Sequence, residues 1–344
     1  MFRNPLSIGI DIGNHSVKAV ALSQKKERLE LAAYAEVVLT SPVINEQHSV
    51  DSTVLLSAIR KLKKSLPFGS KIVTLALPDS AVISKVIQLD TNLKEDEAVF
   101  AVSQALGSSS PFPVEELWVD FFPLESNVFP DASTTMPYQI FATRKETVDT
   151  RIVAIKKAGL SPKVMELQTH ALLWLVEHSA EMSGIHKQWG VVDVGDCLTE
   201  FCIKPQNAAA YHREIAFGLR KYSSSPHRNT LVNDLYEDEP VMKEPLSSDE
   251  IERFTQQLAD QLKRQFQLYN STHPRSSLKG IWLCGGGQHV ISSELLQRLL
   301  GVEVELMNPF AHFNRHKRLD TVSDTALNSQ FAVAAGLAIR GVNQ

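Results

Sequence analysis

The sequence predicts an α/β fold of two related lobes, and three stretches carry that prediction. Near the start, two short apolar strands, 6–12 and 17–22, flank Gly13-Asn14, a pair that tolerates positive φ and so makes a tight turn. The pattern returns at 188–200, where an apolar strand runs into Asp193-Val194-Gly195 and a second strand follows. A third glycine loop, Gly285-Gly286-Gly287, follows the apolar strand 281–284 and precedes a helix at 292–300. One Asp-x-Gly hairpin in each half, with a glycine loop late in the chain, describes a duplicated domain.

Taken in order, 29–39 extends the opening hairpin as a third antiparallel strand. Asp51 or Ser52 caps a helix running to Leu66, because Val54, Leu55, Ala58, Ile59, Leu62 and Leu66 recur at helical spacing. Its other face carries Arg60, Lys61, Lys63 and Lys64 and reads as a solvated face. Pro67-Phe68-Gly69 stops the helix, and 71–77 is the next strand, ended by Pro78. From about 84 to 160 the chain reads as an insertion with its own small sheet. Its strands are 83–89, 116–123 and 138–143, and its helices 94–106 and 147–158. Pro111-Phe112-Pro113 makes a bend, and 125–137 a hairpin loop.

A short strand at 163–167 leads to Gln168-Thr169, which opens an apolar helix through Val176. The second lobe begins at Trp189, and its strands 190–194, 199–204 and 208–215 repeat the three-strand opening. The piece 218–245 is basic and serine-rich, then acidic at Glu237-Asp238-Glu239, and is expected to pack loosely around one short helix at 230–236. Ser247 or Ser248 with Glu250 caps a long amphipathic helix to about Tyr269. A last helix, 324–340, crosses back to the first lobe.

Composition narrows the function classes. With 344 residues the chain is long enough for two cores. A net charge of −4 gives no general reason to expect nucleic-acid binding. The start lacks the apolar segment of a signal peptide, and no apolar run approaches the roughly 20 residues that span a bilayer. Cys197, Cys202 and Cys284 have neither disulfide-framework nor zinc spacing, so they read as small apolar residues of a reducing compartment. The histidines form no metal-binding spacing.

A turn such as Gly13-Asn14 points consecutive backbone N–H groups outward, and such a concavity holds anions. Asp11 stands beside it, placed to hold hydrated Mg²⁺, and Lys18 returns toward a phosphate as a point charge. The bland alternative is an ordinary hairpin with a solvated Asp and Lys. Two such hairpins with a late glycine loop resemble the actin, sugar kinase and Hsp70 ATPase superfamily.

A narrower resemblance rests on landmarks in order: Gly9-Ile10-Asp11-Ile12-Gly13 with Ser16-Val17-Lys18; Pro111-Phe112-Pro113-Val114-Glu115-Glu116-Leu117 with Asp120; Ala158-Gly159-Leu160-Ser161-Pro162; Asn308-Pro309-Phe310; and Ala334-Ala335-Gly336-Leu337-Ala338-Ile339-Arg340. These resemble the PilM family of type IV pilus assembly proteins along essentially the whole chain. The resemblance implies an α/β fold of duplicated actin-like (ribonuclease H-like) lobes with an FtsA-like 1C insertion. Its divisions are a first lobe (1A) at 1–83 and 161–188, inserted subdomain 1C at 84–160, a second lobe at 189–320 with a reduced 2B at about 218–270, and a C-terminal helix in 321–344 returning to 1A.

The same resemblance implies ATP with Mg²⁺ as ligands. Asp11, Gly13, Asn14, Ser16 and Lys18 form the first phosphate loop, Asp193, Gly195 and Thr199 the second, and Gly285, Gly286 and Gly287 the adenosine loop. Asp11 and Asp193 hold Mg²⁺ through water. For hydrolysis, Gln168 or alternatively Glu166 would orient the attacking water. The chain departs from its relatives at 217–223, where Arg220 and serines replace a glycine-rich turn, so phosphate contacts are expected to carry more of the binding than adenine contacts.

The expected partner is the N-terminal cytoplasmic tail of the inner-membrane protein PilN, docked between 1A and 1C. Other pilus assembly proteins are further candidates. The implied location is cytoplasmic and peripheral at the inner membrane, with membrane contact only through partners. Two alternatives belong to other classes. A small-molecule kinase needs a carboxylate base beside the γ-phosphate, and only Glu166 is a candidate. An FtsA-like filament protein needs an amphipathic anchor, whereas the chain ends at Gly341-Val342-Asn343-Gln344, right after its last expected core helix.

Overall fold

Two sheets of matching strand order organise the protein. The structure, a computed structural model, describes residues 6–26, 28–67, 69–124, 134–184, 188–205, 210–220, 246–316 and 328–343. In the first lobe β1 (Leu6–Ile12), β2 (Ser16–Lys25) and β3 (Arg28–Val38) form an antiparallel meander. Helix α1 (Ser52–Ser65) then crosses to β4 (Ile72–Leu77), which pairs parallel to β1. After the small sheet comes α3 (Lys145–Lys157), followed by β8 (Ser161–Leu167), which pairs parallel to β4. The second lobe repeats this with β9 (Trp189–Val194), β10 (Thr199–Ile203) and β11 (Tyr211–Ile215) antiparallel, then β12 (Gly280–Cys284) and β13 (Glu303–Leu306) parallel. The orders β3-β2-β1-β4-β8 and β11-β10-β9-β12-β13 are the same, so the duplication inferred from two hairpins extends to whole sheets.

Strand β1 reads as a near-continuous apolar run because both of its faces are covered. Leu55, Ala58, Ile59 and Leu62 of α1 pack on one face with Ile8, Ile10 and Ile12. On the other lies α7 (Ala332–Val342), which is also wedged against α4 (Gln168–Ser183). Every residue of α7 from Ala332 to Ile339 is buried, as expected of a helix apolar all round. Its neighbours leave no room for side chains. A Cβ on Gly9 would lie 2.0 Å from the Ala334 carbonyl oxygen, and one on Gly336 1.8 Å from that of Ala171.

The small sheet, β5 (Val82–Asp90), β7 (Thr135–Arg144) and β6 (Leu117–Pro123) in spatial order, is antiparallel. Its inner face buries Leu89, Leu117, Ile140 and Ala142 under Ala98, Val102 and Leu106 of α2 (Glu95–Gly107). Helix α3, grouped with the insertion by sequence position, instead gives Ala154 and Ile155, with Ala158 just after it, to the first-lobe core beside α1. Its apolar spacing shows that one face is buried but not which neighbour buries it.

Other elements differ from expectation in length. Helix α4 continues past Val176 to Ser183, where Gly184 ends it in the left-handed region at φ 68°. The long helix α5 (Ser248–Thr272) keeps the capping box, with Ser247 and Glu250 bonded reciprocally. Helix α6 (Ser293–Leu300) is capped by Ser292. The short edge strands β13 and β14 (Asn314–Arg315) were not foreseen, because two to four residues carry no readable period. The last helix begins at Ala332, behind a 3₁₀ turn at Ser329–Phe331. Of the loop expected at 125–137, residues 135–137 instead begin β7 and 125–133 lie outside the described residues, as do 208–209, 221–245, where a short helix was expected, and the first turn expected at 324–327. Cys202 and Cys284 are buried and free, as expected, and Cys197 is half-buried.

Candidate functional site

Each Asp-x-Gly turn is closed by the same backbone bond. Gly13 N–H donates to the Ser16 carbonyl at 3.0 Å, and Gly195 N–H to the Leu198 carbonyl at 2.9 Å. The strands leaving each turn put three side chains in register on one face. In the first lobe these are Asp11, Lys18 and Glu36, and in the second Asp193, Glu200 and Glu214. The rows match position for position except that Glu200 stands where the first lobe has Lys18.

The two aspartates face one charge environment. Lys18 Nζ lies 3.6 Å from Asp11 Oδ2, and both side chains are nearly buried. Burial raises the pKa of Asp11, against the pull of Lys18. Asp193 is pushed up to about 7, first by burial and then by repulsion from Asp11, so the two carboxylates sense each other across the lobes. Gln168, the first residue of α4, lies beside Asp193 and lowers its pKa slightly against the effects of burial and Asp11. Glu200 is buried and raised well above the usual carboxylate range by burial, then by Asp79, Asp193, Glu214 and Asp11.

The glycine loop after β12 closes against Asp193 and Val194. Gly285 adopts φ 92°, and a Cβ there would lie 2.1 Å from Asp193 Oδ1, so only glycine fits. Gly287 N–H donates to the Val194 carbonyl at 2.7 Å, while Gly286 has open space where a side chain would be. Asp11, Lys18, Asp193, Gln168 and Gly285 thus come together.

Other sequence-picked residues are engaged elsewhere. Ser16 Oγ donates to Glu36 at 2.6 Å, and Thr199 Oγ1 to the Phe217 carbonyl at 2.8 Å, where each braces its own sheet. Asn14 stays in the first turn and is half-buried. Glu166 Oε1 accepts from Leu167 N–H at 2.9 Å and faces His170 Nδ1 at 3.2 Å, and its Oε2 accepts from Arg340 Nε at 3.0 Å. Burial would raise its pKa, but the bonds from His170, Leu167 and Arg340 hold it below the usual value. Such a carboxylate braces α7 rather than standing ready as a base.

Three contributors escaped sequence reasoning. Asp79, after β4, accepts from Thr169 N–H and Oγ1 at the start of α4 and pairs with His212 of β11 at 3.0 Å, joining the lobes. Glu200 was findable, because it lies seven positions after Asp193 as Lys18 lies after Asp11. Asp196 in the second turn pairs with Arg220 at 2.5 Å. With Lys18 alone against Asp11 and Asp193, the cleft has more carboxylate than cation whenever both aspartates are ionised. That balance suits a phosphate that arrives with a divalent cation and suits a bare anion poorly. Among the described residues no group of three or more acidic, histidine or cysteine side chains is arranged as a direct metal-binding set.

The outer face of the small sheet is a second candidate surface. Val86, Gln139 and Phe122 form one cross-strand row, and Val82, Thr143 and Trp118 another. Trp118, Val86 and Phe122 are exposed at 51%, 49% and 44%. Phe141, between these rows, has its ring 6.0 Å from that of Phe122 and 5.9 Å from that of His170 on α4, so the face borders the first lobe. Trp118 Nε1 donates to Asp149 of α3 at 3.0 Å. Among the described residues no helix is long and apolar enough to cross a membrane.

The family profile for the type IV pilus assembly protein PilM matches residues 9–342. A solved PilM–PilN type IV pilus biogenesis complex contains a chain 25% identical, with 98% of each chain covered and a TM-score of 0.76. The ethanolamine utilization protein EutJ from Carboxydothermus hydrogenoformans is 12% identical, with 98% of this chain and 90% of that one covered and a TM-score of 0.50. A diol dehydratase-reactivating factor solved in nucleotide-free form is 8% identical, covering 99% and 100%, with a TM-score of 0.54. The two distant matches share the fold alone.

Proposed function

Since the chain belongs to the type IV pilus assembly protein PilM family, we propose that it is the nucleotide-binding scaffold of a pilus assembly platform, docking the N-terminal tail of PilN. The observation that carries the reading is the apolar outer face of the small sheet, Val86, Trp118 and Phe122 bordered by His170, in a chain similar throughout to one solved with PilN. An extended tail there would gain main-chain hydrogen bonds from an edge strand and side-chain burial from the aromatic rows. In this reading the sheet is the displaced 1C subdomain of an FtsA-like arrangement, and the protein is cytoplasmic, held at the inner membrane through its partner.

The nucleotide is ATP with Mg²⁺. Asp11 and Asp193 would hold the cation through water, and Lys18 would meet a phosphate oxygen. The cation supplies the positive charge that lets two carboxylates and a triphosphate share the cleft. Gln168, beside Asp193, is the polar group that would orient a water there. Glu166 is bound to Arg340 and His170, which disfavours the small-molecule kinase alternative.

Calorimetric titration of a PilN tail peptide, with and without Mg·ATP, tests the reading. The peptide is expected to bind the wild type, and Phe122→Asp to weaken it by at least about tenfold by placing a charge on a buried apolar contact. Asp11→Asn is expected to abolish Mg·ATP binding. Tail binding unchanged by Phe122→Asp would move the groove elsewhere, and nucleotide binding unchanged by Asp11→Asn would remove the cleft assignment. Tail affinity that differs between nucleotide states would require the reciprocal change in ATP affinity.

A further inference from the structure

One end of the first lobe carries a set of cations that the cleft and the groove do not use. Arg60, Lys61 and Lys64 are exposed on α1, and Lys156 and Lys157 are exposed in the last turn of α3. The two helix ends are tied together, because Lys63 Nζ donates to the Ala158 carbonyl at 2.8 Å. Lys71 and Lys163 extend the set across the adjoining strand starts, where Ser161 N–H donates to the Lys71 carbonyl at 2.7 Å. None of these seven cations is in an ion pair among the described residues. No Asp or Glu occurs in 52–78 or in 150–165, although the whole chain carries a net charge of −4.

Cations in the last turn of a helix complement its dipole, and that accounts for Lys64, Lys156 and Lys157. It does not account for Arg60, Lys71 or Lys163, or for the exclusion of carboxylates from both segments. We propose that this end of the first lobe is a docking surface for an anionic lipid bilayer. Unpaired lysines on a single-signed surface are what the negative potential of a leaflet attracts. Exposed Ile72 and Val153, at 39% and 40%, lie among the cations and would enter the headgroup layer. Nucleic acid fits less well, since no aromatic ring is exposed in these segments among the described residues to stack on a base. Helix α3 runs from Asp149, which holds Trp118 of the small sheet, to the patch at Lys157. The rise from Asp149 to Lys157 is about 12 Å, so a short tail from a membrane protein reaches the groove while the patch meets the lipid. The surface goes beyond the partner reading, and two weak contacts with one membrane raise each other's effective concentration.

Co-sedimentation of the full chain with vesicles of phosphatidylcholine, alone or mixed with phosphatidylglycerol, tests the proposal without PilN or nucleotide. Binding is expected only to the anionic vesicles and is expected to fall as salt is raised. The Lys61→Glu, Lys64→Glu, Lys156→Glu, Lys157→Glu variant is expected to lose at least about tenfold in partitioning. Lys71→Glu with Lys163→Glu, on strands instead of helices, gives a second reading if the first variant folds poorly. Equal binding to both vesicle types, unchanged binding by a folded variant, no wild-type binding at low salt, or preferential binding of a duplex oligonucleotide would each overturn it. Tail-peptide titration of the same preparations shows whether the groove survives, so failure at the lipid is separable from failure of the partner reading.

Discussion

At Asp193 the ordinary preference of a carboxylate for ionisation is opposed by burial and by Asp11, which together push its pKa up to about 7. The folded protein therefore holds this proton more tightly than the unfolded chain does. Stability from this source is greatest at low pH, declines as pH rises from about 4 to about 7, and is absent above. Asp193→Asn is expected to stabilise the nucleotide-free protein by about 2–4 kcal/mol at pH 8 and by less than half as much at pH 5, read by denaturant unfolding at both. The same substitution is expected to abolish Mg-dependent nucleotide binding, because the amide cannot replace the charge. A loss of stability at pH 8 would show that Asp193 is ionised and paired without a cation. Glu200 shows the same physics one strand away, where a carboxyl replaces the lysine of the first lobe and burial favours its protonated form.

Among the elements, α7 couples most of the structure. It touches β1, β2, β4 and α4, and Arg340 at its far end bonds Glu166 of β8. The approach is possible only because Gly9 and Gly336 have no side chain. A methyl at Gly336 would meet the Ala171 backbone, which cannot turn away as a flexible side chain does. Gly336→Ala is expected to cost about 3 kcal/mol or more, measured by denaturant midpoint, at the upper end of overpacking penalties. A change below about 1 kcal/mol would mean that α7 can shift on α4.

For the whole molecule the question is what holds one lobe to the other. A core of α4 and α7 residues joins Val20 and Leu22 of the first sheet to Val191, Cys202 and Cys284 of the second. Asp79 adds a polar link, since it caps α4 and reaches His212 of β11. Burial alone would raise its pKa, but the bonds from His212 and Thr169 outweigh it and hold the carboxyl below 3.8. Its stabilisation is therefore present above that value and is lost as pH falls through the lower folded pKa. Asp79→Asn is expected to cost about 1–3 kcal/mol at pH 7 and little in acid, where the wild-type carboxyl is also protonated. An equal cost at both pH values would assign the effect to shape instead of charge.

Local patterns determined a great deal. The Asp-x-Gly turns at 11–13 and 193–195, the glycine loop at 285–287 and the helical spacing of 54–66 are short-range features, and each formed where the residues placed it. Turn chemistry and apolar period act over a few neighbours, so they survive without knowledge of the fold. What only the tertiary structure decided is which faces meet. It put α3 with α1 in the first-lobe core, bound Glu166 to Arg340, joined Asp79 to His212 across the lobes, and gathered the lysines of α1, α3 and two strand starts at one end. These pairs lie far apart along the chain, and a sequence pattern shows that a face is apolar or charged without showing what will lie against it.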